Sequence, residues 1–444
     1  AQMAVSPTAK GLPVAVLGAG LAGLRAGLEL ARLGVEHRVF ERLAWPGGHA
    51  TTTFDEGYRF DRTGHLLHLR DPALREQVSE WLAGDLREIA RRSVIWSNGV
   101  YTRYPFQANT FGLPPAVANE CVLDFVKAHF AGPQPAPRDF EQFCLQHFGA
   151  GITRHFMLPY NARLWGVAPH EITSAWCERF VPLPTLEDVI AGAVGLNQRE
   201  LGYNQKFLYP RLGIGELPRA MYRRSAHVEL GREPRRIDLD ARVLEFDDER
   251  VPFDVLISTA PLKALLGLID PLPSAVFAAA QRLRATHLYY LDLALERQPR
   301  TDFHWAYVPE AKYPFYRVGC YSHFSPDVVP PGAGSLYVEL ADRNEPVLTE
   351  LLPRVTAALA EMGIIEGPRH VRFARVRRID CAYVIFDHAY YDALAVIRPF
   401  LAEARILSTG RYGGWQYGAM EDALREGAVA AAESVNLLAG GAAR

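Results

Sequence analysis

The chain has 444 residues, of which 49% are hydrophobic and 22% charged, and its formal net charge at pH 7 is −2. This composition predicts a globular protein of roughly two or three domains. It gives no support for a nucleic acid or a membrane surface as partner, and no apolar run of about 18 residues predicts a membrane span. The five cysteines are scattered and form no C-x-x-C pair. They favour reduced thiols in a cytoplasmic protein over disulfides or zinc.

The first predicted elements form a nucleotide-binding unit. A strand over 14–17 leads into Gly18-Ala-Gly20-Leu-Ala-Gly23, a helical segment follows, and a second strand ends at Glu41. In such a unit the first glycine allows a tight turn, the second admits a pyrophosphate and the third lets helix and strand pack closely. The anion lies at the helix N-terminus, and Glu41 is placed to bind a ribose hydroxyl. The order predicts a dinucleotide site rather than a glycine turn in an unrelated α/β unit.

The middle of the chain changes from helical to strand patterns. A helix is predicted over 72–86, a hairpin over 94–104 turning at Asn98-Gly99, and further helices through 114–200. Alternating apolar residues then predict strands over 228–230, 237–239, 243–246, 255–258, 288–295, 315–320 and 335–340.

Three elements are predicted near the C-terminus. They are a helix over 346–362 with Pro346 in its first turn, a strand over 406–408 and a closing helix over 420–438. No H-E-x-x-H or clustered His/Cys spacing suggests a metal site.

These residues resemble a known flavoprotein class. The glycine turn with Glu41 and Gly47-Gly48 is similar to the start of amine oxidases, protoporphyrinogen oxidase and UDP-galactopyranose mutase, and segments 254–261 and 408–411 resemble their later flavin contacts. The resemblance implies FAD as cofactor. The cofactor-binding residues it implies are Gly18, Gly20, Gly23, Glu41, Gly48, Gly64, Thr259, Gly410 and Arg411.

Within this class the chain most resembles the eukaryotic-type UDP-galactopyranose mutases. The similar segments are 60–65, 104–109, 156–165, 175–179, 202–210, 314–317 and 410–417. The resemblance implies that His65 lies beside the flavin and that Arg179 and Arg317 bind a diphosphate, these three being the catalytic candidates. The implied substrate-binding residues are Tyr104, Phe106, Gln107, Asn161, Trp165, Asn204, Tyr316, Tyr383 and Tyr417.

The resemblance also implies an α/β fold with a Rossmann-like FAD-binding domain, a helical insertion and a mixed or antiparallel β-sheet substrate domain. The FAD-binding domain is expected to be built from three separate stretches of chain. The expected limits are 11–90, 206–275 and 386–444 for the FAD-binding domain, 91–110 for a hairpin of the substrate sheet, 111–205 for the helical insertion and 276–385 for the substrate sheet with its helix.

The implied reaction interconverts the pyranose and furanose forms of a nucleotide sugar, with N5 of reduced flavin attacking the anomeric carbon. NADH or NADPH is the expected reductant. Two other hypotheses stay open: an oxidoreductase of the amine oxidase or protoporphyrinogen oxidase type, and a flavin-holding protein without catalysis. Thr63, where the mutases usually have glycine, and the altered segment 383–387 favour these two. Arg179, Arg317 and segment 104–107 favour the mutase.

Overall fold

A computed structural model describes residues 11–196 and 205–440 of the chain. The strands are β1 (Leu12–Leu17), β2 (His37–Glu41), β3 (Thr52–Asp55), β4 (Tyr58–Asp61), β5 (Arg87–Ala90), β6 (Ser93–Ser97), β7 (Val100–Arg103), β8 (Lys206–Tyr209), β9 (Val228–Leu230), β10 (Arg236–Asp238), β11 (Val243–Glu245), β12 (Arg250–Ser258), β13 (Ile269–Asp270), β14 (Ala285–Leu295), β15 (Trp305–Tyr307), β16 (Phe315–Gly319), β17 (Gly334–Leu340), β18 (Val371–Val384) and β19 (Ile406–Ser408).

The α-helices connect and cover these strands. They are α1 (Leu21–Arg32), α2 (Pro72–Trp81), α3 (Pro115–His129), α4 (Phe140–Ile152), α5 (Leu158–Trp165), α6 (Cys177–Phe180), α7 (Leu186–Ala193), α8 (Glu216–Arg224), α9 (Leu262–Leu268), α10 (Ser274–Arg282), α11 (Tyr321–Phe324), α12 (Leu348–Glu361), α13 (Tyr390–Glu403), α14 (Gly410–Gly413) and α15 (Met420–Leu438). Within the described ranges, no helix is both long and apolar enough to cross a membrane.

The first sheet is the predicted nucleotide-binding sheet. Its parallel part has the order β9-β2-β1-β12-β19, and β11, β10 and β13 extend it from the other end of β12. Helix α1 crosses from β1 to β2 and packs against α15. The residues of β1 from Val14 to Leu17 are buried, as is typical of a parallel strand covered on both faces. This confirms a Rossmann-like arrangement built from distant parts of the chain.

The second sheet has seven strands in the order β18-β14-β17-β16-β15-β6-β7. Strands β15 and β6 run parallel, and the other neighbours are antiparallel. A second apolar core lies on this sheet, where Val355 and Leu359 of α12 join Leu291, Leu293 and Val338. Helices α3 to α7 stand between β7 and β8 in sequence. The α/β class with a mixed sheet and a helical segment is therefore confirmed, while the domain limits stay predictions.

Some predicted elements are confirmed and others are wrong. The hairpin turns at Asn98 and Gly99, whose φ angles of 53° and 74° suit a two-residue turn. The helix expected over 72–86 ends at Trp81, and the chain then forms β5, which pairs with β8. The helix expected from Pro346 begins at Leu348, because Val347 before it has an extended backbone. Strand β18 and helix α13 were not predicted.

Candidate functional site

The glycine turn after β1 brings three chain segments into close contact. Gly18 has a φ of +97°, and a Cβ there would lie 2.1 Å from Oγ1 of Thr259. A Cβ on Gly23 would lie 1.8 Å from the backbone oxygen of Gly18. Gly20 is the N-cap of α1, and no side chain caps this helix end. The turn leaves the first N–H groups of the helix without a side-chain cap, and such groups are available to an anion.

Glu41 and Gly48 lie next to this turn. The Glu41 carboxylate accepts hydrogen bonds from the backbone N–H groups of Ala19, at 2.8 Å, and Leu43, at 2.9 Å. These contacts fix the side chain at the end of β2. A Cβ on Gly48 would lie 3.4 Å from the Cα of Gly20, so the two glycines form one bare backbone surface.

The basic side chains of His49, His65, Arg62 and Arg411 lie close together, and we call them the histidine cluster. The Nδ1 atoms of His49 and His65 are buried and have no hydrogen-bond partner within the described residues. Burial, together with the nearby Arg411 charge, lowers the pKa of His65 to about 4. The pKa of His49 is also lowered by burial, and Arg62, His65 and Arg411 act in the same direction. Both imidazoles are therefore neutral at neutral pH, with nitrogens available to a ligand.

Arg411 connects this cluster to the second sheet. Its Nη2 donates to the backbone oxygen of Ala382 at 2.9 Å. Its guanidinium lies over the rings of Tyr383, Tyr412 and Tyr417, with distances of 5.5, 5.4 and 4.9 Å to the ring centroids. Gly410 before it has a φ of +80°. The Arg411 guanidinium thus contacts one aromatic ring on β18 of the second sheet and two rings in the segment around α14.

A cavity of about 170 Å³ lies between the second sheet and the helical segment. The sequence-predicted residues that line it are Tyr104, Gln107, Asn161, Trp165, Arg317, Tyr383 and Tyr417. The structure thereby brings together residues that are up to three hundred positions apart in the chain.

Arg317 is the cation of this cavity and is held by an ion pair. Its Nε and Nη2 both bind the carboxylate of Glu339, with 2.7 Å between Nη2 and Oε1, and Nη2 also donates to the Tyr383 hydroxyl at 3.0 Å. Glu339 is completely buried. The pKa of Arg317 is raised by Glu339 despite the opposing effect of burial. The guanidinium therefore remains charged, with Nη1 unpaired among the described residues.

Comparison with known proteins gives the family. The model of the flavin containing amine oxidoreductase family matches residues 21–434. The chain belongs to this family. A flavin is therefore its cofactor class, and the glycine surfaces and unpartnered histidine nitrogens described above fit a flavin nucleotide.

The structure is similar to that of other flavin-containing amine oxidoreductases and related enzymes. Reduced UDP-galactopyranose mutase is 26% identical, with a TM-score of 0.90 over 96% of both chains. A provisionally assigned protoporphyrinogen oxidase from an Exiguobacterium species is 16% identical, with a TM-score of 0.73 over 96% of this chain and 98% of its own. Putrescine oxidase bound to putrescine is 18% identical, with a TM-score of 0.64 over 96% and 99%. The last two similarities show the fold alone.

Two predicted substrate residues, Phe106 and Tyr316, are not among the described residues that line the cavity, and two further predicted site residues fall outside the described part of the structure. Phe106 is fully buried and stacks on Phe156, with 5.2 Å between the ring centroids. Tyr316 lies where the pairing of β16 with β17 is irregular, between Phe315 and Arg317, and it is fully buried. Its ring packs against that of Tyr160, with 6.1 Å between the ring centroids. Arg179 lies on α6, but its side chain is outside the described part of the structure, and Asn204 is outside the described residues.

The other predicted cofactor residues adjoin the glycine turn or the histidine cluster. Oγ1 of Thr259 donates to the backbone oxygen of Leu17 at 2.9 Å. A Cβ on Gly64 would lie 2.6 Å from the Tyr337 hydroxyl, so only glycine allows this approach. Within residues 11–196 and 205–440, no group of three His, Cys, Asp or Glu side chains is arranged for a metal ion.

Several lining residues were missed by the sequence analysis. Tyr160, Tyr307 and Trp176 line the cavity, and Tyr307 stacks on Tyr104 with 5.0 Å between ring centroids. Tyr160 and Trp176 lie within segments that resemble the mutases, and only their side-chain direction was unknown. His49 directly follows Gly47-Gly48, and this position was the available signal for it. No sequence signal distinguishes Tyr307.

Proposed function

We propose that this protein is an FAD-dependent nucleotide-sugar mutase that interconverts pyranose and furanose forms, as an isomerase of the UDP-galactopyranose mutase type. The main supporting observation is the cavity in which the Arg317 guanidinium stands among tyrosines and amides. A charged planar donor in an aromatic cleft suits a diphosphate joined to a base and a sugar. The similarity to reduced UDP-galactopyranose mutase supports the same function.

Reduced FAD, when bound, would supply the nucleophile for the proposed reaction at the anomeric carbon of the sugar. Arg317 binds the departing diphosphate through Nη1, and its charge stabilises the developing anion. The Tyr383 hydroxyl accepts from Arg317, so its own proton is available to a phosphate oxygen. Arg179 is proposed as the second guanidinium, and Tyr417 lies near the opening, 36% exposed.

The remaining lining residues are proposed to orient the substrate. Tyr104, stacked on Tyr307, offers an aromatic surface to the base. The Gln107 amide donates to the backbone oxygen of Pro182 at 2.7 Å, which leaves its own oxygen to accept from the base. Asn161 is oriented by its bonds to Met157 and Trp165. Asn204 is proposed to contact the substrate on the basis of the resemblance alone.

His65 is proposed to face the flavin as a neutral imidazole. Its pKa of about 4 means that it neither adds a charge nor exchanges a proton at neutral pH. It therefore orients a hydrogen bond toward the ring system. Phe106 and Tyr316 are proposed to support the cavity wall from behind, since both are fully buried.

One observation favours an oxidoreductase as the second candidate. Glu339 neutralises much of the Arg317 charge, and most of the surrounding cavity wall is aromatic. An apolar or monocationic substrate would suit such a wall better than a dianion would.

We also propose a cytoplasmic location, on the basis of the cysteine pattern, and NADH or NADPH as reductant, on the basis of the resemblance to the mutases.

Anaerobic turnover distinguishes the two functions. Purified protein, either oxidised or reduced with dithionite, is incubated with UDP-galactofuranose, and the products are separated by chromatography. A mutase converts the substrate to UDP-galactopyranose only in the reduced state. If oxidised flavin is instead bleached by an amine or another donor, and no nucleotide sugar is converted, the mutase proposal is wrong.

A further inference from the structure

Thr63 has a backbone conformation that its side chain disfavours. Its φ is +64°, in the left-handed region, and the residue is buried. For a β-branched residue this is a rare outlier, disfavoured about 5- to 30-fold relative to the ordinary regions. Surrounding contacts must hold it there. The conformation matters because Thr63 stands two residues before His65.

The contact that holds Thr63 comes from α11, the short helix that follows β16. Its N–H donates to the hydroxyl oxygen of Tyr321, at 3.1 Å. That hydroxyl lies 2.7 Å from the backbone oxygen of Asp61 and 3.0 Å from Oδ1 of Asp292, and these two oxygens share its one proton as acceptors. Tyr321 therefore bonds to the chain on both sides of Arg62 and fixes the distance between Asp61 and Thr63.

Tyr321 is itself held in place from behind. Its side chain is completely buried, and its ring contacts the Tyr337 ring with 5.0 Å between centroids. Asp292 is almost fully buried and accepts from Nε of Arg377 at 3.2 Å on its other oxygen. The Tyr337 hydroxyl closes the space above Gly64. The turn from Asp61 to Gly64 thus lies on a rigid polar support.

We propose that Tyr321, oriented by Asp292, is a positioning residue that holds Thr63 left-handed and so fixes the direction in which His65 faces the flavin. This inference depends on the proposed place of His65 beside the cofactor. A chain with glycine at position 63 would need no such support, because glycine adopts this φ without cost. Thr63 and Tyr321 therefore act as a pair: the strain of one requires the hydrogen bond of the other.

A double-mutant cycle tests the pairing. The variants are Tyr321→Phe, Thr63→Gly and both together, and the readouts are the dissociation constant of FAD and the midpoint potential of the bound flavin. Tyr321→Phe alone is expected to weaken FAD binding about 5- to 30-fold, the equilibrium cost of the left-handed residue, and to shift the potential. In the Thr63→Gly background the same change is expected to alter binding less than about 2-fold, because the strain is gone.

Tyr58→Phe is the matched control. Tyr58 is equally buried, and its hydroxyl donates to the backbone oxygen of Leu295 at 2.9 Å, away from the turn. This variant is expected to lower thermal stability without moving the flavin potential. Equal effects of Tyr321→Phe in the parent protein and in the Thr63→Gly background, or no effect in either, would overturn the positioning role.

Two further outcomes are informative. If Tyr321→Phe folds only in the Thr63→Gly background, the pairing is supported directly. If it folds in neither, Asp292→Asn replaces it in the cycle. Asp292→Asn is expected to weaken FAD binding and to shift the flavin potential in the same direction but by less, and this effect is expected to disappear in the Thr63→Gly background. If Asp292→Asn changes neither quantity, the proposal is contradicted. Failure of the unaltered protein to bind any flavin would refute the proposed cofactor site itself, a result distinct from unchanged binding by Tyr321→Phe.

Discussion

Replacing the ion pair of Arg317 and Glu339 separates its structural role from its proposed role in binding. Arg317→Met leaves a completely buried carboxylate without its partner. Breaking a buried pair in this way costs about 3–5 kcal/mol, and the partial exposure of Arg317 favours the lower value. Adding Glu339→Gln removes the stranded charge, so the double variant is expected to return to within about 1 kcal/mol of the parent protein.

UDP binding is expected to respond differently. Both Arg317→Met and the double variant lack the guanidinium that binds the diphosphate in our proposal. Loss of a charge-assisted hydrogen bond of about 1.5–3 kcal/mol corresponds to a roughly 10- to 100-fold weaker affinity. Denaturant unfolding gives the stability and isothermal titration calorimetry gives the UDP affinity. If the double variant is stable and binds UDP as tightly as the parent, Arg317 serves only the fold.

Three further predictions concern pH and the glycine turn. Because the pKa of His65 is about 4, kcat/KM is expected to show no histidine step between about pH 5 and 8, and a step near 6.5 that His65→Asn abolishes would contradict this. Burial raises the pKa of Asp61 to about 7, so the folded state keeps its proton. The stability this provides is complete below about pH 4, falls by up to about 1.4 kcal/mol per pH unit between about pH 4 and 7, and is lost above about pH 7. Unfolding of Asp61→Asn measured from about pH 4 to 8 is expected to show a flatter stability profile than the parent protein, and an unchanged slope would refute the assignment. Gly23→Ala, whose Cβ would lie 1.8 Å from the Gly18 oxygen, is expected to purify without flavin absorbance, whereas Gly267→Ala, with nothing within 4 Å, is expected to retain it.

The nucleotide-binding unit was predictable because local constraints determine it. A Cβ on Gly23 would meet the backbone oxygen of Gly18, and the Glu41 carboxylate accepts from the N–H of Ala19 in the same turn. Strand β18 was missed because its arginines resemble a solvated segment. Their charges are balanced by residues from elsewhere: Arg375 pairs with Asp55, and Arg377 pairs with Asp292. Such partners cannot be read from a local pattern.

The cavity was only partly predictable. A resemblance identifies segments, but which residue of a segment faces the cavity depends on strand register. Arg317 lines the cavity, whereas Tyr316 beside it lies at an irregularity in the pairing of β16 with β17 and is fully buried against Tyr160. Tyr307 joined the site through the pairing of β15 with β16, which no short motif records. The support beneath Thr63 likewise requires β14 and α11 to meet in space.

In the function that we propose, a flavin and a nucleoside diphosphate bind side by side, the flavin near Arg411 and the diphosphate at Arg317. Titrating the flavin-bound protein with UDP while recording the visible flavin spectrum tests it most directly. We predict a saturable difference spectrum that the double variant of Arg317 and Glu339 loses. A flavin spectrum indifferent to UDP at every concentration, in both oxidation states, would contradict the account.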